Sequence, residues 1–395
     1  MEIHTQTKPK PERVYFIDWL RVIAVLLLIL FHSARIFDIG DPFYVKNATT
    51  SSFLSYTVIT ILNQWQIPLL FLLAGASTWL ALGFRTGKQY AAERFKRLLL
   101  PFIFGILVIV PPQAYLARLQ TPGHSGSYLQ FLPDYFQVRG DLTGYTGQFT
   151  PAHLWFILFL FVFALVALPI LLYLRSDRGK IWVSRLAAFT EKPGGLLWFL
   201  FPLLVAGALP DLGGKYPFVD LTLFIFGFIL VADQRFVAAL DRYRWISLIA
   251  AGLTTSGFIW LEMQNIPTPK YSTADILSFL LRTVNTWSWL VAILGFGQRY
   301  LNRTTPFLRY AAEGSYPFYI LHQTVIVIIG YFVIQGAESV VLKYLLIVIA
   351  SFAATTLLYD LAVKRTNFTR FLFGMKPLPG TQILRASRQT VMNKS

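Results

Sequence analysis

Residues 15–37 are apolar almost throughout, but Asp18 and Arg21 interrupt the run near one end, and His32 and Arg35 near the other. In a helix the steps from Arg21 to His32 make about three turns, at about 100° per residue and roughly 16 Å of rise, so the two side chains share a face. Asp18 falls about 40° from His32 on the same wheel and Arg35 follows at i+3, so the charged groups form one stripe. Such a stripe cannot face lipid. Ionisable groups inside a membrane point into a bundle interior or an aqueous cavity and mark functional sites.

Apolar stretches of about 20 residues recur along the chain and predict ten membrane spans: 15–37, 56–83, 98–117, 153–174, 195–213, 217–234, 245–263, 276–297, 316–335 and 341–363. The expected fold is all-α, a polytopic membrane helix bundle. Segments on the N-terminal side of the membrane carry 26 of the 35 Lys and Arg, the opposite side 8, and Arg21 lies within the first span. That asymmetry predicts cytoplasmic termini. Between the fifth and sixth spans, Pro210, Asp211, Gly213, Gly214 and Lys215 leave a very short connection, where a re-entrant pair would change the parity.

A composition of 55% hydrophobic and 14% charged residues agrees with a membrane class. The N-terminus is polar and basic and the first apolar run is too long for a signal sequence, so the first span should be retained. A net charge of +16 suggests nucleic acid, but it sits in short segments between apolar runs, as topology requires. Absence of cysteine excludes disulfides, thiolate metal sites and a thiol nucleophile. His4, His32, His124, His153 and His322 show no metal-ligand spacing, and no Walker or Rossmann glycine pattern occurs, so neither metal nor nucleotide hydrolysis is expected. Residues 1–370 read as the membrane unit and 371–395 as a basic cytoplasmic tail suited to lipid headgroups.

His32, two thirds of the way along its span, has the chemistry of a general base or an acyl acceptor; the structural alternative is a hydrogen bond between helices. Arg94 and Arg97, at i and i+3 where the third span begins, suit forked binding of phosphates, or serve only as flanking charge. His153 opens the fourth span at a depth similar to that of His32, with Trp155 beside it as a substrate contact or an interfacial anchor. His322, one turn after Tyr319, is placed near the cytoplasmic end of the ninth span, lining a cavity or bonding a neighbour. Glu262 and Asp220, at the outer ends of their spans, are candidate acid partners. Pro68 and the run Ala74, Gly75, Ala76, Ser77 point to close helix packing. The connection 118–152, rich in Gly, Pro, Tyr and Gln, suits sugar binding on the outer side.

Taken together, Arg21 and His32 on the first span, Arg94-x-x-Arg97 entering the third, HLWF at 153–156 and SYPFYILH at 315–322 resemble the integral-membrane acyltransferase family 3, most of all its glucan-biosynthesis branch. The resemblance covers nearly the whole chain. It implies a plasma-membrane enzyme that moves an acyl group, acetyl or succinyl, from cytoplasmic acyl-CoA to a hydroxyl of an extracytoplasmic glycan, with no tightly bound cofactor. By position it implies that Arg21 and His32 are the essential first-helix pair and that Arg94 and Arg97 bind the donor. On the residue reading, Asp18 and Arg35 complete the catalytic group, Arg21 and His322 help hold acetyl-CoA or succinyl-CoA, and His153, Trp155 and Glu262 face the acceptor. Ala74-Gly75 departs from the Ser-Gly often found in relatives. The competing class is a multi-pass transporter of a small polar solute or glycan precursor. A homo-oligomer is compatible with the sequence.

Overall fold

The computed structural model describes residues 14–138, 142–264, 269 and 272–378. In chain order the helices are α1 (Tyr15–Arg35), α2 (Leu54–Leu82), α3 (Gly87–Gln120), α4 (Tyr128–Tyr135), α5 (Ala152–Val166, continuing after a 51° bend as Leu168–Arg175), α6 (Asp177–Thr190), α7 (Gly195–Gly207), α8 (Pro217–Leu230), α9 (Gln234–Met263), α10 (Thr273–Leu301), α11 (Pro306–Val333), α12 (Val340–Val363) and α13 (Asn367–Leu372). Among the described residues the only extended pairing is an isolated bridge between Leu212 and Lys215. The chain is an all-α, multi-pass membrane bundle.

Seven helices (α1, α2, α3 and α9 to α12) are long and apolar enough to cross a membrane, or eight if bent α5 counts as one span. The expected fifth and sixth spans are corrected to a pair of short helices, α7 and α8, the latter of 14 residues and about 21 Å. Hydropathy alone had run them out to full length. Turn chemistry cuts them: Gly213 (φ +58°) and Gly214 (φ +74°) make a tight turn closed by the Leu212–Lys215 pair, and Asp211 accepts from the Gly214 amide at 3.0 Å.

α8 lies against α2 with no room between backbones. A Cβ on Gly75 would stand 1.7 Å from the Phe224 carbonyl oxygen, and one on Gly227 the same 1.7 Å from that of Leu72. The small-residue run is therefore a helix crossing, as its composition suggests.

α1 runs through the middle of the bundle, packed on α2, α10, α11 and α12. α11 is parallel to it. At their starts the Tyr15 amide donates to Asn302 Oδ1 at 3.2 Å and Trp19 Nε1 to the Arg303 carbonyl at 2.9 Å; at their far ends Gly330 sits against Ile36.

Two π-helical turns, Phe95–Leu99 and Gly105–Ile109, interrupt α3 just before Pro101 and Pro111, whose missing amides leave carbonyls without intrahelical partners. The Gln113 amide bonds the Val110 carbonyl at 2.9 Å instead of that of Ile109, and the Ile109 carbonyl accepts from Thr324 of α11 at 2.8 Å; Thr324 in turn accepts from Gln113 at 2.6 Å, and Gln113 from Gln323 at 2.8 Å. This buried chain joins α3 to α11. Gln113→Leu strands the Gln323 amide and is expected to cost about 1–3 kcal/mol, seen as a lower thermal midpoint in detergent.

At the far end of the chain, buried Arg370 donates to Glu313 at 2.5 Å and to the Lys376 carbonyl at 2.6 Å, while Phe373 packs edge-on against Phe104. Residues 371–378, expected in the tail, thus pack back onto the bundle; the rest of the tail lies outside the described residues.

Candidate active site

Three helices bring a histidine each to one level of the bundle. The ring of His322 on α11 lies 5.2 Å from that of His32 on α1 and 5.0 Å from that of His153 at the start of α5. The shared depth of His32 and His153 agrees with the sequence. His322 does not sit near the start of its span: α11 begins at Pro306, so about 24 Å of helix precedes it.

Hydrogen bonds set the protons in this cluster. His322 Nδ1 bonds the Tyr319 carbonyl at 2.6 Å and His153 Nε2 the Ile320 carbonyl at 3.0 Å. Carbonyls only accept, so those nitrogens carry the protons, and in the neutral rings His322 Nε2 and His153 Nδ1 are bare lone pairs. Both are buried without a partner, and so is His32 Nδ1. The Tyr319 hydroxyl donates to the His153 carbonyl, locking α5 to α11. Phe43 stacks on His32 at 6.1 Å, and Phe31 meets it edge-on at 5.1 Å. Among the described residues no group of three or more His, Asp or Glu is arranged to hold a metal ion.

At the end of the bundle where α1 finishes, Arg35 turns away from the histidines. It donates to Asp38 at 2.7 Å, Asp41 at 2.9 Å and the Pro42 carbonyl at 3.0 Å, so the last member of the stripe clamps the following loop. Lys46 donates to the Asp38 carbonyl; desolvation lowers its pKa and the charge of Asp38 opposes that. Glu262 accepts from Thr60 at 3.0 Å and lies in the field of Asp38 and Asp41, on this rim. Trp155 packs among Phe71, Phe156 and Phe159 and carries the Lys215 ammonium 4.9 Å above its ring. The Gly213-Gly214 turn delivers this lysine to within electrostatic range of His32 and Arg35. The described residues of connection 118–152 are tied down at two points: Tyr44 donates to the Thr143 carbonyl at 2.8 Å and Tyr135 to that of Ile106 at 3.1 Å. It holds a cleft of about 60 Å³ bordered by Tyr115, Arg118, His124 and Phe131.

At the opposite end, Arg21 donates to Asp18 at 3.1 Å and to the Ser77 hydroxyl at 2.5 Å. Next to Ser77, Thr78 pairs with the Tyr90 hydroxyl at 3.0 Å, and the Arg94 guanidinium lies 4.6 Å over the Tyr90 ring. Arg94 and Arg97 do not form the expected fork. The π-turn that starts at Phe95 separates them, and Arg97 pairs instead with Glu93 at 3.0 Å, a carboxylate it shares with Arg85 at 2.7 Å. Arg94 Nε is buried without a partner, and Arg94 acts electrostatically on Tyr316 of α11. From Arg21 a polar thread runs through Ser77, Thr78, Tyr90 and Arg94; its continuation to Tyr316, Tyr319, His322 and His32 is by electrostatic range and ring contact, not by side-chain hydrogen bonds.

Sequence reasoning missed Ser77, Tyr316 and Lys215. A signal for Lys215 lay in the Gly213-Gly214 pair and one for Tyr316 in its spacing to Tyr319; Ser77 had been read only as a small residue.

Residues 14–360 match the family model described as "Acyltransferase domain". The chain is similar to proteins named glucans biosynthesis protein C from Salmonella heidelberg (strain SL476), Salmonella agona (strain SL483) and Salmonella enteritidis PT4 (strain P125109). It is 23% identical to each over 388 residues, spanning 93% of this chain and 96% of theirs. No solved structure matches it.

Proposed function

The chain belongs to the acyltransferase family that its residues 14–360 match, and from that premise we propose that it transfers an acyl group from acyl-CoA to a hydroxyl of an extracytoplasmic glycan. The donor is acetyl-CoA or succinyl-CoA, the membrane is the plasma (inner) membrane, and the end where α1 begins is cytoplasmic by the Lys and Arg count. The relatives' names, which speak of glucan biosynthesis, support a glycan acceptor.

The meeting of His32, His153 and His322 carries this reading, because α1, α5 and α11 converge there and the polar thread leads to it from the basic end. Arg94 and Arg21 meet the donor's phosphates by charge-assisted bonds, with Arg97 held beside them by Glu93. The acyl thioester then lies beside His32. His32 takes the proton from the acceptor hydroxyl as its oxygen attacks the thioester carbonyl. The bare Nε2 of His322 is placed to steady the imidazolium that forms, as the carboxylate does in a hydrolase triad. The tetrahedral intermediate collapses with loss of CoA thiolate, which takes the proton from the His32 imidazolium and restores the neutral base. Lys215 sets a positive field on the far side, where a carboxylate-bearing acyl chain is favoured over a neutral one.

Arg94→Ala is expected to raise KM for acyl-CoA about tenfold or more with kcat little changed, as loss of a charged hydrogen bond does. Steady-state kinetics on purified protein checks it, and an unchanged KM contradicts the donor assignment.

A further inference from the structure

Connection 118–152 approaches the histidine cluster through a short turn around Tyr145. The Gly147 amide donates to the Gly144 carbonyl at 3.0 Å, and the two glycines stand in the left-handed region, at φ +73° for Gly144 and +81° for Gly147. Neither has room for a side chain. A Cβ on Gly144 would stand 2.3 Å from Thr150 Cγ2, and one on Gly147 would stand 2.5 Å from Arg118 Cβ and 3.0 Å from the Ala114 carbonyl oxygen of α3. Gly144-Tyr145-Thr146-Gly147 is therefore a tight turn seated on α3, and it presents an aromatic ring.

Three rings meet at that turn. Tyr145 lies 5.0 Å from Tyr44 and 6.3 Å from Phe43, and Phe43 in turn stacks on His32 at 6.1 Å. Arg35 fixes the loop beneath them by its bond to the Pro42 carbonyl, and Tyr44 ties that loop to Thr143. Phe43 and Tyr44 are buried, whereas Tyr145 keeps part of its surface exposed. The histidines show the same contrast: His153 and His322 are buried and His32 is only half-buried, so His32 is the one an acceptor can reach. An anchored ring with an open side, beside the general base, suits a sugar, whose C–H face packs on an aromatic face while its hydroxyls point outward. Two ring contacts, of 6.3 and 6.1 Å, separate Tyr145 from His32, a gap that a disaccharide spans.

Resting on the glycan-acceptor reading, we propose that Tyr145 is an acceptor-binding residue: its open face stacks on the sugar unit next to the one whose hydroxyl meets His32. Phe43, between the two, sets the spacing. The contact is with the acceptor and not with the donor, so it favours a chain of sugars over a small alcohol.

The experiment compares wild type with Tyr145→Phe, which keeps the flat ring, and Tyr145→Leu, which fills similar space without one, using a glucan oligosaccharide, glycerol and acyl-CoA as the varied substrates. Tyr145→Phe is expected to retain the wild-type KM for the oligosaccharide. Tyr145→Leu should raise that KM about tenfold or more while KM for glycerol and for acyl-CoA stays within about twofold, the pattern of a lost acceptor contact. A Leu variant with the wild-type KM for the oligosaccharide, or one whose three KM values rise together, overturns the assignment. Tyr145→Trp gives a second reading that needs no loss of the ring: its emission should change on addition of oligosaccharide beyond any change in wild type, and no such difference also overturns the assignment. Wild type that moves label from acyl-CoA to no oligosaccharide overturns the glycan-acceptor reading and this proposal with it, and is told apart by needing no variant.

Discussion

His32→Ala is expected to insert and fold like wild type yet lose acyl transfer by about 10²–10⁴-fold, the usual worth of a positioned general base. The structure separates the two effects. His32 Nδ1 has no hydrogen-bond partner, so truncation strands no buried donor or acceptor through that atom. His322 and His153 keep their own bonds to Tyr319 and Ile320, so α5 and α11 stay joined. Only the proton acceptor is gone. Purified variant and wild type compared in lipid nanodiscs, by label moved from acyl-CoA to glycan, give the number; a variant at full rate removes His32 from the chemistry.

Gly75→Ala is expected to prevent accumulation of folded protein, although it adds a single carbon. Ordinary overpacking costs about 1–3 kcal/mol because side chains and backbone yield. Here the obstacle is the Phe224 carbonyl, 1.7 Å from the new atom, with the Phe228 amide nitrogen at 3.1 Å, and the reciprocal Gly227 contact holds the other side. Neither helix can withdraw without opening the crossing, so the cost lies at or above the top of that range. Size-exclusion profiles of the solubilised variant check it, with Ala74→Gly, an exchange beside the crossing that adds no atom, as a control expected to stay monodisperse.

Hydropathy and period were enough to find the helices that cross alone, because a continuous apolar run of about 20 residues admits few other structures. They failed where the helices stop short of the apolar run: nothing in the hydropathy of 195–234 distinguishes two spans from two short helices, which end at Gly207 and Leu230. They failed again at the start of α11, where RYAAEGS reads as polar connection. The signal was Thr305-Pro306, since Thr305 caps the helix by accepting from the Leu308 amide at 3.0 Å and Pro306 occupies the first turn. Reading it would have raised His322 to the level of His32.

The site was legible in part. His32 and Arg21 stood out because charge in an apolar helix has few explanations, and their shared face is real, α1 being one unbroken helix from Tyr15 to Arg35. Arg35 looked equivalent on the wheel, but side-chain reach and the acidic loop of Asp38 and Asp41 took it elsewhere. Arg94 and Arg97 looked like a pair because an ideal helix was assumed, and one π-turn undoes that register. The meeting of three histidines spread over 290 residues is a tertiary fact that no spacing along the chain encodes.

The central claim is that acyl groups cross from a donor at one face to a hydroxyl at the other through the histidine cluster. The most direct test uses vesicles with the protein in one orientation, glycan sealed inside and labelled acyl-CoA added to the face where α1 begins. The account predicts label on enclosed glycan with wild type, none with His32→Ala, and none when acyl-CoA is supplied only on the glycan's side. Labelling that is independent of His32, or solute counterflow without acyl-CoA, contradicts it.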